Sequence, residues 1–365
     1  MVNIPGPNWR LLAPHRPLGP DDQEYVARPV GGGDAIAAWV LAGGHTVLVS
    51  GPTGVGKSTE LARAMVELDA ERVTCLVQVD RLTNIHKLTP DELIRLLLRA
   101  LIDAANVRGL ALSHGLVKAV QSATAPGHLP YLPLPMDVSV LRAAIDEITR
   151  LAAPRRIAFL IDGFERLVVG SAPEIFDALS QLQESIDLIV VIPWHAAFGG
   201  NVQQILRAGE RLHRVLALEI HGPTMPAAEQ FASRVLTRRL KTNLPPSMPS
   251  LVDAAFHLSG GLPRTFLQLM ADAGTYARVK RAEDWPENSD LLDAARDQQD
   301  SFRRALLPGD AAAIGSVAGT DGRELDLERR IRLVAQGILL ERVRGGRVVF
   351  EAHPLVAPIL RDPKS

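Results

Sequence analysis

The stretch GPTGVGKS, Gly51 to Ser58, constrains this chain more than any other part of it. It fits the spacing G-x-x-x-x-G-K-S at Gly51, Gly56, Lys57 and Ser58. A short β-branched run, HTVLVS, precedes it, and TELARAMVELDA, helical in period, follows. Glycines at this spacing let backbone N–H groups wrap an anion without Cβ clashes. The N-terminus of the following helix adds the positive end of its dipole. Lys57 is placed to reach the β- and γ-phosphates of a nucleotide, and the Ser58 hydroxyl can ligate Mg²⁺. Pro52, Thr53, Gly54, Val55 and Thr59 complete the expected phosphate-binding set. The implied ligands are therefore ATP and Mg²⁺.

The runs around the loop predict the fold. After HTVLVS come RVTCLVQVD, RIAFLID, IDLIVVIPW and HRVLALEIHGP, each apolar and strand-like, with helical segments between them. Continuous apolar runs alternating with helices predict a parallel sheet covered on both faces. Asp34 is a candidate N-cap for the first helix. Thr89, Pro90 and Glu92 mark another helix start, with Leu93, Leu96, Leu97 and Leu101 forming one apolar stripe. The proline-rich TAPGHLPYLPLPM, 124 to 136, reads as a surface loop. Past Pro223 the strands stop and three helices are expected to about residue 282, with RAEDWPENSD as a linker. Leu327, Ile331, Val334 and Ile338 then share a helical face, and LLERVR-GG-RVVFEAHP reads as a two-strand hairpin. The expected divisions are an irregular arm over 1–24, a nucleotide-binding core over 25–222, a helical lid over 223–282 and a winged-helix domain over 290–361.

Composition removes several function classes. The formal net charge is -1, so the chain is not a polycation and any nucleic-acid contact has to be local. The single cysteine, Cys75, excludes an internal disulfide framework and reads as a buried small hydrophobe. The start has no secretory signal and no apolar run reaches about 18 residues, so a cytoplasmic protein without a membrane span is expected.

The remaining candidates lie at strand and helix ends. Asp162 closes the apolar strand RIAFLID, where a carboxylate faces the same crevice as the phosphate loop and holds the magnesium water shell. Glu165, after Gly163 and Phe164, is the candidate for polarising an attacking water. In LSGGLPRTF, the Gly260–Gly261 break is followed by Pro263 at a helix start and Arg264 just inside it, an arginine able to touch phosphates from a lid. His195 follows the fourth strand as a phosphate-sensing candidate, against the reading of a satisfied loop histidine. Arg207, Arg211 and Arg214 cluster before the fifth strand, where they could reach a neighbouring copy or form a solvated face. Arg342, Arg344 and Arg347 flank the hairpin turn beside Glu341 and Glu351, which favours protein docking or self-packing over DNA phosphate.

Taken together, these residues resemble AAA+-like P-loop ATPases of the STAND and Orc/Cdc6-related kind. The segment YVARPVGGGDAIAAWVLAGGHTVLVSGPTGVGKST is similar to the N-terminal part of that group. The resemblance implies that Tyr25, Val26 and Arg28 pass near adenine. FLIDGFE is similar to the STAND form, in which the acid after the Gly-hydrophobic pair, here Glu165, is taken as catalytic. GGLPR resembles the STAND lid motif and places Arg264 where Orc-like ATPases carry a second sensor arginine. The implied fold is a P-loop NTPase parallel sheet with helices on both faces, followed by a helical lid and a C-terminal winged-helix domain. The chain departs from the group in two ways. It carries neither a repeat sensor nor an effector domain, so input and output would lie on partner proteins. The first sensor position has PWHAAF in place of a clear Asn, Thr or Arg.

The favoured function is a slowly hydrolysing, ATP-gated regulatory switch acting through an unknown protein effector or sensor, with ATP-dependent homo-oligomerisation considered alongside. A bacterial defence or signalling role suits such a stripped-down ATPase. The alternatives are a DNA-binding ATPase resembling replication initiators or transposition regulators, and a nucleotide-bound scaffold that does not turn over.

Overall fold

The structure, a computed structural model, describes residues 6–12, 18, 22–124, 138–164, 172–194, 211–221, 224–322, 324–344 and 347–361. Glu165, His195, Arg207, all but the first residue of the proline-rich run 124–136, and the Gly345–Gly346 turn lie outside them. The chain divides into two compact units. A sheet unit holds Gly33–Ser50 and Ser58–Arg214. A second unit holds Met1–Gly32, the phosphate loop Gly51–Lys57, and Val215–Ser365.

The sheet unit is built on five parallel strands, β1 (Thr46–Ser50), β2 (Arg72–Gln78), β3 (Arg156–Asp162), β4 (Asp187–Val191) and β5 (Arg211–Arg214). Their order is β2-β3-β4-β1-β5. Helices α1 (Gly33–Leu41), α2 (Lys57–Leu68), α3 (Val79–Leu82), α4 (Pro90–Val107), α5 (His114–Thr124), α6 (Val138–Ala152) and α7 (Ala172–Ser180) alternate with them. Every residue of β1 and β4 is buried, as a sheet covered on both faces requires. One core gathers Cys75, Phe159 and Val190 from the strands with Leu93, Leu97 and Leu101 of α4 and Leu141 and Ile145 of α6. Burial pushes the Cys75 thiol up to about 12, with Arg108 opposing, as expected of a structural cysteine. The α4 start is as expected: the Thr89 hydroxyl accepts the Glu92 N–H at 3.2 Å. Asp34, however, lies inside the first turn of α1 and pairs with Arg63 at 3.0 Å.

The fifth strand differs from expectation. It is Arg211–Arg214, not the apolar run after it. Val215, Ala217, Leu218 and Ile220 are buried, which gave that run its strand-like pattern. Their backbone leaves the sheet, and the carbonyls of Leu216 and Leu218 accept from arginines instead of a strand ladder. Arg211 and Arg214 consequently lie within the strand, not ahead of it, and the Arg211 guanidinium sits 5.1 Å over the Trp39 ring.

In the second unit, α8 (Met225–Leu240), α9 (Met248–Leu258) and α10 (Pro263–Arg281) form the expected three helices. α11 (Asn288–Ala305), α12 (Asp310–Val317) and α13 (Leu327–Ala335) follow, then the antiparallel pair β6 (Leu339–Arg344) and β7 (Arg347–Ala352), and α14 (Ala357–Arg361). Of the expected apolar face of α13, Val334 is buried and Ile331 half-buried, Ile338 just past the helix is buried too, and only Leu327 departs, at 50 % exposed. Two segments read as irregular are ordered by packing. Trp9, in a 3₁₀ turn at Trp9–Leu12, is 3 % exposed and meets the Trp285 ring edge-on at 5.7 Å. Trp285 belongs to the expected linker, which also supplies Glu287 and Asp290 to start α11, and Arg281 reaches both acids at 2.8 and 2.6 Å. No described helix is long and apolar enough to cross a membrane.

Candidate functional site

The phosphate loop leaves β1 at Ser50 and enters α2 at Lys57. Gly54 and Gly56 have φ of +82° and +102°, the left-handed turns that aim successive N–H groups into a concavity. A Cβ on Gly54 would come within 2.9 Å of Arg264 Cβ, so glycine is required there by contact as well as by conformation. The Lys57 side chain is 6 % exposed and its Nζ donates to the carbonyls of Gly51 at 3.0 Å and Pro52 at 3.1 Å. The ammonium is thereby held against the loop it serves. Pro52 and Val55 are buried, and Thr53 is exposed.

Two arginines frame this loop within the second unit. Arg28 donates from Nη1 to the Val55 carbonyl and from Nη2 to the Leu216 carbonyl, both at 2.6 Å. Arg264 donates its backbone N–H to the Gly54 carbonyl at 3.2 Å, and its side chain is exposed. Pro263 opens α10 beside it, as expected. Val26 is 7 % exposed, Tyr25 is half-buried, and the Tyr25 carbonyl accepts from Arg238. The segment Tyr25–Arg28 is thus fixed at both ends, with Arg28 bonded to the loop itself.

Within the sheet unit, Asp162 is the last residue of β3 and 5 % exposed. Ile161 is in register with Val190, and Val190 with Leu48, which puts Asp162 level with Val49, one residue before β1 ends. Two strand spacings separate them, about 10 Å. Asp162 Oδ1 accepts the Gly163 N–H at 3.0 Å. Phe164 is fully buried and meets Phe176 edge-on at 6.2 Å, so the Gly-Phe pair anchors the turn after Asp162 in the core. Ser58 and Thr59, in the first turn of α2, are half-buried. Glu60 beside them is 3 % exposed and accepts the Gly33 N–H at 2.8 Å. Asp80 is not among the residues that the sequence motifs single out. It stands two residues beyond Gln78, the register partner of Asp162, and an acid just past an apolar strand was the available signal.

Of the hairpin arginines, Arg342 and Arg344 take the self-packing alternative. Arg342 is 5 % exposed and donates to the Leu218 and Gly260 carbonyls at 2.5 and 2.6 Å, so it is no surface contact. Burial lowers its pKa to about 10, with Glu351 opposing, and it stays charged at neutral pH. Arg344 pairs with Glu351, and Arg347 is exposed. Among the described residues, no group of three His, Cys, Asp or Glu could hold a metal ion by itself. Any cation would depend on the hydroxyl and carboxylate oxygens of Ser58 and Asp162, a donor type that suits Mg²⁺.

Residues 36–192 match the model of the AAA ATPase domain family. No curated protein matches the chain. Among solved structures it is similar to Aeropyrum pernix Orc1 in complex with DNA, at 17 % identity and TM-score 0.49, covering 98 % of this chain and 97 % of that one. It is also similar to a RuvB variant from Thermotoga maritima, at 13 % identity and TM-score 0.41, over 86 % and 87 % of the two chains. A third is Drosophila ORC bound to GC-rich DNA and Cdc6, at 12 % identity and TM-score 0.43, over 83 % and 48 %. All three scores lie below 0.5, and the P-loop architecture stands on the strand order and the loop described above.

Proposed function

We propose that the chain is an ATP-binding and slowly hydrolysing regulatory switch of the STAND or Orc/Cdc6-related kind, acting through partner proteins in bacterial defence or signalling. The observation that carries the reading is the grip on the phosphate loop. Gly54 and Val55 give their carbonyls to Arg264 and Arg28, residues of the lid helix and the N-terminal segment. A loop built so that anion binding shifts these carbonyls can report its occupancy to both.

In this reading the core, lid and winged-helix domains are 25–222, 223–282 and 290–361. Tyr25 and Val26 lie against adenine, while Arg28 shapes the loop. The loop from Gly51 to Thr59 wraps the phosphates and Lys57 moves from the Gly51 and Pro52 carbonyls onto them. Ser58 and Asp162 are the residues that would hold Mg²⁺, which when bound supplies charge neutralisation at phosphate oxygens. Glu165 orients and deprotonates the attacking water. Arg264, with Pro263 fixing the start of its helix, closes on the phosphates. The two carboxylates are separated by Gly163 and the buried Phe164. That separation displaces the base from the adjacent position used by fast ring motors and supports slow turnover.

The alternative of a DNA-binding ATPase is the weaker one. Of the three hairpin arginines one is buried and one is paired, which leaves little free charge for phosphate. ATP turnover, nucleotide retention and assembly state, measured together on wild type, Lys57→Ala and Glu165→Gln, test the proposal. The switch reading expects Glu165→Gln to keep ATP, lose hydrolysis and hold one assembly state. Wild type that retains ATP and never turns it over would replace it with the scaffold reading. Salt-dependent duplex binding lost in an Arg344→Ala, Arg347→Ala double variant would restore the DNA reading.

A further inference from the structure

The turn Ser259–Arg264 offers its carbonyls to three separate parts of the second unit. Ser259 accepts from His353 Nε2 at 3.0 Å, Gly260 from Arg342 Nη2 at 2.6 Å, and Gly261 from the Leu218 N–H at 3.0 Å. A Cβ on Gly261 would lie 1.9 Å from the Leu218 carbonyl oxygen, so the two backbones touch with no room for a side chain. The Ser259 hydroxyl donates to the Phe256 carbonyl at 2.6 Å and accepts the Gly261 N–H at 3.2 Å, which fixes the turn from inside.

These bonds join a second set. Arg342 links Gly260 to Leu218, and two residues earlier Leu216 is linked by Arg28 to Val55. From the turn, Arg264 returns to Gly54. The path therefore closes on itself: Gly54, Arg264, Gly260, Arg342, Leu218, Leu216, Arg28, Val55. Two guanidinium forks and one amide tie neighbouring carbonyls of the phosphate loop to a hairpin strand far away in sequence. A guanidinium is planar and rigid, so each fork fixes the separation of the two carbonyls it holds. Arg342 has Glu351 at 3.8 Å, with the Glu219 charge also acting on it, and spends both terminal nitrogens on carbonyls. An apolar side chain of the same length would leave those two carbonyls buried and unsatisfied.

We infer that Arg342 is a positioning residue for the phosphate loop, acting through the Ser259–Arg264 turn, so that nucleotide at the loop and order in the C-terminal hairpin are thermodynamically linked. The inference rests on the reading that the loop binds nucleotide. Linkage is reciprocal: ligand at Gly54–Lys57 tightens the hairpin, and loss of the Arg342 fork loosens the loop.

Hydrogen exchange of the full chain, with and without ADP and Mg²⁺, tests this together with ADP titration. In wild type, ADP slows exchange in peptides covering 259–264 and 339–344. In Arg342→Lys, which keeps the charge and loses the fork, ADP affinity falls about fivefold or more. Peptides covering Gly54 and Val55 then exchange faster even without nucleotide. Arg332→Met, off the closed path in the same unit, lowers the melting temperature and leaves ADP affinity unchanged. Arg342→Lys that folds, binds ADP like wild type and leaves loop exchange unaltered overturns the inference. If Arg342→Lys does not fold, the wild-type experiment decides, and no ADP effect at 339–344 overturns the inference. If wild type binds neither ADP nor ATP, the nucleotide reading fails by itself. Loop exchange in Arg342→Lys still decides the positioning role: faster exchange supports it and unchanged exchange removes it.

Discussion

Arg264 places its backbone N–H 3.2 Å from the Gly54 carbonyl, joining the first turn of α10 to the middle of the phosphate loop. The contact is backbone to backbone, so it survives any substitution at Arg264 other than proline, which has no N–H. It is sensitive instead to Gly54, where a Cβ meets Arg264 Cβ at 2.9 Å and φ is +82°. Left-handed backbone costs a non-glycine residue about 1–2 kcal/mol, and the clash adds to it. Gly54→Ala is expected to weaken ADP binding about tenfold or more, one factor of ten for each ~1.4 kcal/mol. Calorimetric titration gives the answer; unchanged affinity would mean the loop moves away from α10 at no cost.

Lys57→Ala separates binding from architecture. Its Nζ holds two loop carbonyls, at 3.0 and 3.1 Å, and is the expected phosphate contact. ATP turnover should fall on the order of a hundredfold, in line with removal of one charge-stabilising donor. The melting temperature without nucleotide should fall by only about a few degrees, the cost of leaving the Gly51 and Pro52 carbonyls without their donor. A steady-state phosphate-release assay beside a melting curve checks both.

His353 makes stability depend on mildly acid pH. Burial lowers its pKa from 6.5 to about 3, with Arg342 adding to the effect and the bond to Ser259 opposing it. The unfolded chain therefore takes up a proton that the folded chain refuses. Stability is full above the unfolded value and is lost as pH falls from about 6.5, by ~1.4 kcal/mol per unit for this one group. Replacing His353 with Gln keeps a donor for Ser259 and should flatten the slope between pH 6 and pH 5, about the unfolded value of histidine. Urea unfolding across that range reads it.

Asp310 acts at lower pH. Burial pushes its carboxyl up, but the bonds from Arg332 and the Leu307 N–H, with the charges of Arg332 and Arg329, outweigh burial and the net shift is downward. Arg332 reaches both carboxylate oxygens, at 2.7 and 2.8 Å. Stability from this pair is present above the ordinary carboxylate value and lost as pH falls through the lowered one. Asp310→Asn should cost about 2 kcal/mol at neutral pH, less than a fully buried pair because Arg332 is partly exposed. Denaturant titration that finds no change would show the guanidinium content with water.

What was legible in the sequence was local. The glycine spacing of the phosphate loop, the acid closing β3 and the Thr89 cap each declare themselves within a few residues, and the structure has them as read. The continuous apolar run through Leu216–Leu218 predicts strand, yet the Leu216 and Leu218 carbonyls belong to Arg28 and Arg342. Nothing within ten residues of Leu218 signals an arginine from the hairpin. The acids beside Arg342 in sequence leave protein docking and self-packing both open, while its neighbours in space are carbonyls. Trp9 and Trp285 meet across about three-quarters of the chain, a contact that no periodicity contains.

Asp187 has a different consequence. The first residue of β4 is fully buried, and its carboxylate takes Arg72 Nε at 2.7 Å and His45 Nδ1 at 3.0 Å, with Arg156 Nε at 3.4 Å. Those three stand at the beginnings of β2, β1 and β3. One carboxylate thus reads the alignment of four strands at the edge opposite the phosphate loop. A strand that slips by one residue turns its arginine or histidine to the other face and strands a buried negative charge. Misassembly of the sheet is therefore costly at a single atom group, which acts as a proofreader for the register on which the nucleotide edge depends.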